Sequence, residues 1–234
     1  MGSSTISRSR MRERLLEIYH RLYAAYGPQH WWPGEGPFEV IVGAILTQQV
    51  GWRNVERAIA GLKTAGLMDP ESLARAPLEQ IAQIIRPTGY YNQKAKKLKA
   101  FLDFLNARHN ADLNKLFSLP VDKLREELLS VRGIGEETAD SIILYAAEKP
   151  SFVVDAYTRR ILTRLGVING EESYGEIREL FMKNLPKDVP LYNEYHALLV
   201  RHGKERCLKR NPRCAGCPLA DMCRASTEAR AGRG

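Results

Sequence analysis

The segment "SVRGIGEETADSIILYAAEKPSFVVDAYTRRIL", residues 130–162, contains a glycine turn and a lone aspartate between helical patterns. Two helical patterns flank the glycine turn at 133–135, and Asp155 precedes a third helix. Gly133 and Gly135 allow positive φ and close approach of another backbone. The helix after the turn presents unpaired N–H groups and its positive dipole end, which suit a phosphate. We therefore predict phosphate contact here, with an ordinary helical turn as the alternative.

Helical periodicity extends through most of the chain. Leu15, Ile18, Leu22 and Ala25, for example, recur on one face of an amphipathic helix. No strand of ordinary length is recognisable, so we predict an all-α protein. We expect two lobes with a cleft between them. One comprises residues 36–147 with the hairpin at 122–147, and the other comprises residues 1–35 and 148–234.

Composition points to an anionic partner. The chain has 234 residues and a net charge of +8, and a basic balance suggests nucleic acid. No apolar run is long enough for a transmembrane helix, and the N-terminus lacks the apolar core of a secretion signal. We expect a monomeric, cytoplasmic, nucleoid-associated protein of a prokaryote, with no membrane partner.

All cysteines fall between residues 207 and 223, with the spacing C-x6-C-x2-C-x5-C: Cys207, Cys214, Cys217 and Cys223. Clustered cysteines without an export signal indicate a metal site. Four thiolates suit either zinc or an iron–sulfur cluster. Zinc ribbons usually have two C-x2-C knuckles, and this loop has one, so we predict a [4Fe–4S] cluster.

Three cations lie inside the cysteine loop: Lys209, Arg210 and Arg213. A metal that fixes the loop would present these side chains to DNA phosphates. The alternative is an ordinary solvated surface. The histidines show no ligand spacing and are interpreted as structural: His20, His30, His109, His196 and His202.

Two segments together, "VRGIGEETADSIILYA…FVVDAYTRR" and "CLKRNPRCAGCPLADMC", resemble the helix-hairpin-helix (HhH-GPD) DNA glycosylase superfamily of endonuclease III type. The resemblance extends from about Leu15 to Cys223. It implies a base excision repair enzyme that binds double-stranded DNA, with a helical barrel lobe and an iron–sulfur lobe. A damaged base is flipped out of the duplex and its N-glycosidic bond is hydrolysed.

The resemblance also assigns roles to single residues. Asp155 matches the family's catalytic aspartate, where a carboxylate stabilises positive charge on the sugar or activates water; a helix N-cap is the structural alternative. Gln49 matches the glutamine that fills the gap left by the flipped base. Tyr90 matches the residue that wedges into the other strand, with packing on the next helix as the alternative.

Glu137 departs from the family's lyase pattern. Bifunctional members carry a lysine at this position, and its amine forms a Schiff base with the sugar. Because a carboxylate cannot form an imine, we predict a monofunctional glycosylase. The other nearby amine in the sequence, Lys149, lies at the far end of the helix.

The predicted base pocket consists of Trp31, Trp32, Trp52 and Glu137. Aromatic faces and a carboxylate favour a cationic base such as 3-methyladenine. The "WWP" segment, Trp52 and the glutamate resemble the 3-methyladenine DNA glycosylase III branch, although the best-known form of that branch lacks a full cluster. Tryptophans that serve only as core residues are the structural alternative. A uracil or thymine mismatch glycosylase and a non-catalytic iron–sulfur DNA-binding protein remain alternative functions.

Overall fold

The computed structural model describes residues 8–32 and 34–225, and these residues contain twelve α-helices and no strand. Helices α1 to α12 span, in order, Arg8–Tyr26, Pro37–Leu46, Trp52–Thr64, Pro70–Arg75, Leu78–Ile84, Tyr91–His109, Leu113–Phe117, Val121–Ser130, Glu136–Ser141, Ala156–Leu165, Tyr174–Asn184 and Val189–Glu205. A π-helical turn, Ile142–Ala146, follows α9 directly, and two 3-10 turns cover Arg86–Thr88 and Ala220–Met222. The all-α prediction is confirmed. Among the described helices, none combines the length and apolarity needed to cross a bilayer.

The chain divides into two compact units. The first comprises Met1–Trp31 and Pro150–Gly234, and the second comprises Trp32–Lys149. The sequence analysis put these boundaries after residues 35 and 147. The observed division falls inside the "WWP" segment, so Trp31 belongs to the first unit and Trp32 to the second.

The first unit has an aromatic core that fixes where α10 begins. Phe152 lies in the extended segment before α10, and its ring stacks on Phe181 with centroids 3.7 Å apart. Tyr195 of α12 packs edge-on to both rings and donates its hydroxyl to the Leu15 carbonyl at 2.8 Å. Burial of large side chains of this kind stabilises a fold by about 1.5–3 kcal/mol each. The segment that leads to Asp155 is therefore firmly anchored.

The second unit is built around α2. Every residue of this helix after Pro37 is buried, and all of them except Glu39 are apolar or glycine. Gly43 of α2 leaves room for two aromatic rings, because a Cβ there would lie 3.3 Å from Trp32 and 3.5 Å from Trp52. The longer helix α6 also packs against α2 and carries four lysines, among them Lys94, Lys97 and Lys99.

Candidate functional site

The predicted phosphate-binding turn connects α8 to α9. Gly133 has a φ of 92°, in the region that favours glycine. Gly135 differs from the expectation, because its φ of −94° and ψ of 179° are ordinary extended values. A Cβ at Gly135 would find no atom within 4 Å, so the space in front of this residue is open. It is the N-cap of α9 and no side chain caps that helix, so the backbone at the helix start is open to close approach.

The two glutamates after the turn differ in their surroundings. Glu136 pairs with Arg125 of α8 at 3.1 Å. The same guanidinium donates to the fully buried carboxylate of Asp140 at 3.0 Å. Glu137 is exposed, and its backbone carbonyl accepts from the Ser141 hydroxyl at 2.7 Å. Glu136 is thus committed to bracing the hairpin, whereas the orientation of Glu137 toward a base stays a prediction.

Gln49 and Tyr90 are both exposed and both have a positive φ, as do five other described residues that are not glycine. Gln49 is exposed with a φ of 57°, and Tyr90 is 71% exposed with a φ of 46°. The left-handed region costs a residue with a Cβ roughly 1–2 kcal/mol, and such strain clusters at functional sites. The structural alternative for Tyr90, a ring packed on the next helix, is wrong. Both side chains stand in solvent where a ligand could meet them.

A polar network behind these residues was missed by the sequence analysis. Gln48, the neighbour of the predicted Gln49, donates its amide to the Gly133 carbonyl at 3.2 Å and to the Thr138 hydroxyl at 3.0 Å. Lys97 of α6 donates to the Gln48 side-chain oxygen, and its aliphatic stem lies against Gly133. An amine therefore does lie beside the hairpin turn, although it comes from a distant segment and not from position 137.

The structure brings together two of the three predicted pocket tryptophans. Trp32 meets Trp52 edge-to-face, with centroids 5.1 Å apart and an interplanar angle of 89°. Tyr145, which was not predicted, packs on Trp32 at 5.1 Å, and Trp52 donates its indole N–H to Glu56 at 2.9 Å. Trp31 lies in the other unit, where the Lys204 ammonium stands 5.8 Å from its ring centroid. Trp32 and Trp52 thus form one aromatic wall and not a pair of parallel faces.

Asp155 begins α10 and accepts the Thr158 N–H at 2.7 Å, as an N-cap does. Its second carboxylate oxygen lies 3.5 Å from Nε2 of His196 on α12. Burial raises the pKa of Asp155, but His196 and the Thr158 N–H outweigh burial and leave that pKa below its ordinary value. The carboxylate is therefore ionised at neutral pH. His196, interpreted from sequence as structural, is its electrostatic partner.

The four cysteines line a single cavity of about 80 Å³ in the first unit. Within residues 8–32 and 34–225, no three His, Cys, Asp or Glu side chains are grouped closely enough to hold one metal ion. A tetrahedral zinc site, with Zn–S bonds of about 2.3 Å, brings its sulfurs to within about 4 Å of one another. Four thiolates that line one cavity fit a metal group, and the C-x6-C-x2-C-x5-C spacing remains the argument for a [4Fe–4S] cluster over zinc.

Cationic and polar groups surround this cavity. Arg164 Nη1 lies 3.1 Å from the Cys207 sulfur, and His202 Nε2 lies 3.8 Å from the Cys217 sulfur. Burial, followed by nearby arginines, lowers the pKa of His202 to about 4, so this imidazole is neutral. Such donors suit a group with anionic sulfurs. The predicted DNA-binding cations are all exposed: Lys209, Arg210 and Arg213.

A protein family and a curated relative each match more than half of this chain. Residues 42–187 match the family described as HhH-GPD superfamily base excision DNA repair protein. The provisionally named DNA repair glycosylase of Methanocaldococcus jannaschii is 47% identical over 213 residues, which cover 90% of this chain and 96% of the relative.

Two solved structures resemble most of the chain. An endonuclease III trapped covalently on DNA has a TM-score of 0.80 at 24% identity, covering 94% of this chain and 98% of the other. That likeness establishes the fold. The Helicobacter pylori 3-methyladenine DNA glycosylase bound to 1,N6-ethenoadenine has a TM-score of 0.72 at 28% identity, covering 83% of this chain and 97% of the other.

Proposed function

The chain belongs to the HhH-GPD superfamily of base excision DNA repair proteins, in which it is a DNA glycosylase, and we propose that it is monofunctional. It would hydrolyse the N-glycosidic bond of a damaged base and leave the DNA strand uncut. One observation carries the proposal: the largely buried, ionised carboxylate of Asp155 occurs together with a carboxylate, not an amine, at position 137.

Asp155 would supply the chemistry of base excision. As the glycosidic bond breaks, positive charge develops on the sugar, and an ionised carboxylate held close stabilises it. Because burial weakens solvent screening, the interaction is stronger than it would be in water. Thr158 and His196 hold the carboxylate from two sides, so it needs little reorganisation when the reaction occurs.

The second unit would position the DNA. The backbone of Gly133 and Gly135 and the start of α9 suit a phosphate, a contact that fixes register without reading sequence. Gln49 and Tyr90 are exposed on strained backbone and are suited to enter the duplex when a base leaves its stack. Stacking of a base on an aromatic ring contributes about 1–3 kcal/mol, which supports a wedge role for Tyr90.

Glu137 supports hydrolysis and not strand cleavage. A Schiff base requires an unprotonated amine at the sugar, and the exposed residue at this position has none to offer. The amine beside the hairpin, Lys97, is already engaged with the Gln48 side chain. The hairpin's own amine, Lys123 of α8, pairs with Glu126 at 3.1 Å, so neither lysine stands at the position of the family's lyase lysine.

A [4Fe–4S] cluster belongs to the proposal as a structural cofactor held by the four cysteine thiolates. When bound, the cluster cross-links the loop between residues 207 and 223. The exposed Lys209, Arg210 and Arg213 would then be held in place to attract DNA phosphates. Iron and sulfide analysis of purified protein, with its visible absorbance, tests this; zinc at one ion per chain would contradict it.

An alkylated purine such as 3-methyladenine is the first candidate lesion. Its positive charge would be attracted by the exposed carboxylate of Glu137 and by the faces of Trp32 and Trp52. The likeness to the Helicobacter pylori 3-methyladenine DNA glycosylase supports this choice.

A uracil or mismatched thymine is the second candidate, and one observation favours it. Trp32 and Trp52 pack edge-to-face against each other, so they offer one wall and no sandwich of parallel faces. Cation–π attraction requires a cation over an aromatic face, and a neutral uracil or thymine does not depend on that attraction.

A panel of duplexes, each with one lesion, tests the proposed function. Released base is quantified by mass spectrometry for the wild type and for Asp155→Asn. We expect release from one lesion class by the wild type alone, with DNA binding by both proteins. Binding without release from any duplex would instead favour the non-catalytic DNA-binding alternative.

A further inference from the structure

Helix α6 buries a lysine that has no obvious reason to be buried. Lys94 is only 2% exposed, and burial followed by the neighbouring Lys97 lowers the pKa of Lys94 to about 8. In the described part of the chain its amine faces no carboxylate; it donates to the Leu46 carbonyl at 2.8 Å and the Thr88 carbonyl at 2.7 Å. A buried cation without an anionic partner is costly, so the contacts it makes need an explanation.

The two carbonyls that Lys94 joins lie at the roots of the two strained, exposed residues. Leu46 ends α2, and the chain reaches Gln49 three residues later. Thr88 ends a 3-10 turn, and the chain reaches Tyr90 two residues later. One amine therefore fixes the separation of both segments.

Lys97 extends the same arrangement to the hairpin. It lies one helical turn after Lys94 and donates to the Gln48 side chain. Gln48 in turn donates to the Gly133 carbonyl at 3.2 Å and to the Thr138 hydroxyl at 3.0 Å. The segment that carries Gln49 is thus tied to the Tyr90 segment on one side and to the hairpin turn on the other.

We propose that Lys94 and Lys97 are positioning residues that hold the Gln49 segment, the Tyr90 segment and the hairpin turn in the one geometry that fits a distorted DNA duplex. The inference rests on the proposed function, because it takes these three segments to contact DNA. Loops that are already ordered lose less entropy on binding, and small misplacements of positioning groups are expensive in rate. Both effects favour loops that the amines of Lys94 and Lys97 hold in place over loops that are flexible.

The chain supplies a matched control for a merely structural role. Lys99 of α6 also donates its amine to backbone carbonyls, those of Ala74 at 2.6 Å and Ala76 at 2.5 Å. These carbonyls lie at the end of α4, in a segment that contains none of the three DNA-facing elements. Lys99→Met therefore removes the same kind of contact from the same helix and leaves the Gln49 and Tyr90 segments attached.

The experiment compares Lys94→Met, Lys97→Met and Lys99→Met with the wild type. Base release is measured under single-turnover conditions, and 2-aminopurine beside the lesion reports unstacking in the bound duplex. We expect Lys94→Met to lower the single-turnover rate by about 100-fold and to abolish the fluorescence rise. Lys97→Met should lower both signals in the same direction, and Lys94→Arg, which keeps donors, should recover part of both. Lys99→Met should keep both signals near those of the wild type, with the melting temperature recorded for every variant.

The positioning role is overturned if Lys94→Met and Lys97→Met lose no more activity and fluorescence than Lys99→Met does. Should Lys94→Met fail to fold, the comparison of Lys97→Met with Lys99→Met decides, because both amines are only partly buried. If the wild type releases no base from any duplex, the proposed function fails. The fluorescence of bound DNA still decides the positioning role in that case.

Discussion

Helices α9 and α10 begin in opposite ways, and the difference explains what each contributes. The first begins at Gly135 with no side-chain cap, in open space. The second begins at Asp155, whose own carboxylate accepts a backbone N–H at 2.7 Å. A helix start without a cap leaves its donors to an outside anion. A helix start capped by a buried, ionised carboxylate satisfies itself and holds that carboxylate in a fixed position.

Helix α6 is a third case. Its N-cap is Tyr90, which lies in the left-handed region and makes no side-chain cap. Neither anion binding nor internal capping explains a bulky aromatic residue at such a place, whereas display of its ring does. Under the proposed function, the three helix starts would correspond to three tasks: phosphate contact, reaction and duplex distortion.

The largest expected effect separates capping from reaction at Asp155. Asparagine caps helices about as well as aspartate, so Asp155→Asn should keep the melting temperature close to that of the wild type. Loss of the carboxylate charge should reduce base release by roughly 100- to 1,000-fold, measured under single-turnover conditions. A wild-type rate for Asp155→Asn would mean that the residue is only a cap.

Tyr90→Gly tests whether the start of α6 is shaped for display. Glycine relieves the positive φ, so folding stability should hold or rise by up to about 1 kcal/mol. Loss of the ring should weaken binding to lesion-containing duplex by about 1–3 kcal/mol, measured by fluorescence anisotropy. Asn110→Gly is the control, since Asn110 has a φ of 53° at the other end of α6. Equal affinity losses in both variants would contradict the wedge role.

The hairpin glycines should differ in what they lose on substitution. At Gly133, with a φ of 92°, an added Cβ would lie 2.5 Å from the Lys97 stem, so Gly133→Ala should destabilise the fold by about 1–2 kcal/mol. Gly135→Ala meets no protein atom and should mainly weaken DNA binding. Thermal unfolding and DNA affinity, measured on both variants, check this. An equal loss of stability at both positions would show that the turn is merely structural.

The smallest expected effect concerns the acid limb of the pH profile. Because the folded pKa of Asp155 is depressed, its ionisation adds stability above the unfolded pKa, and this stability is lost as pH falls through the folded pKa. His196→Leu leaves burial as the largest influence, so the pKa of Asp155 should rise. The loss of base release on acidification should then move to higher pH. The exposed His20, changed to Leu, is the control, and an identical shift in both variants would contradict the pairing.

Sequence reasoning found the features that are encoded locally. The glycine turn, the aspartate before α10 and the cysteine spacing each lie within a short stretch, and one stretch suffices to recognise them. Lys94, Lys97 and His196 were missed because their partners are distant in sequence: each is an ordinary helical residue until packing supplies a carbonyl, an amide or a carboxylate. Packing also decides to which unit each of two adjacent residues belongs, and which of the two is exposed.

Trp31 and Trp32 illustrate that last point, since they are adjacent in sequence yet belong to different units. Gln48 and Gln49 do so as well, because one braces the hairpin and the other is exposed. Neither separation follows from local pattern, because both depend on where a loop turns.

The comparison of helix starts leads to one central claim, namely that this chain reacts through a carboxylate and not through an amine. Borohydride trapping on the duplex from which base is released tests this claim most directly. We predict free base, a strand that breaks only after alkali, and no covalent protein–DNA adduct. An adduct, or strand cleavage without alkali, would contradict the claim, and peptide mapping of that adduct would identify the amine responsible.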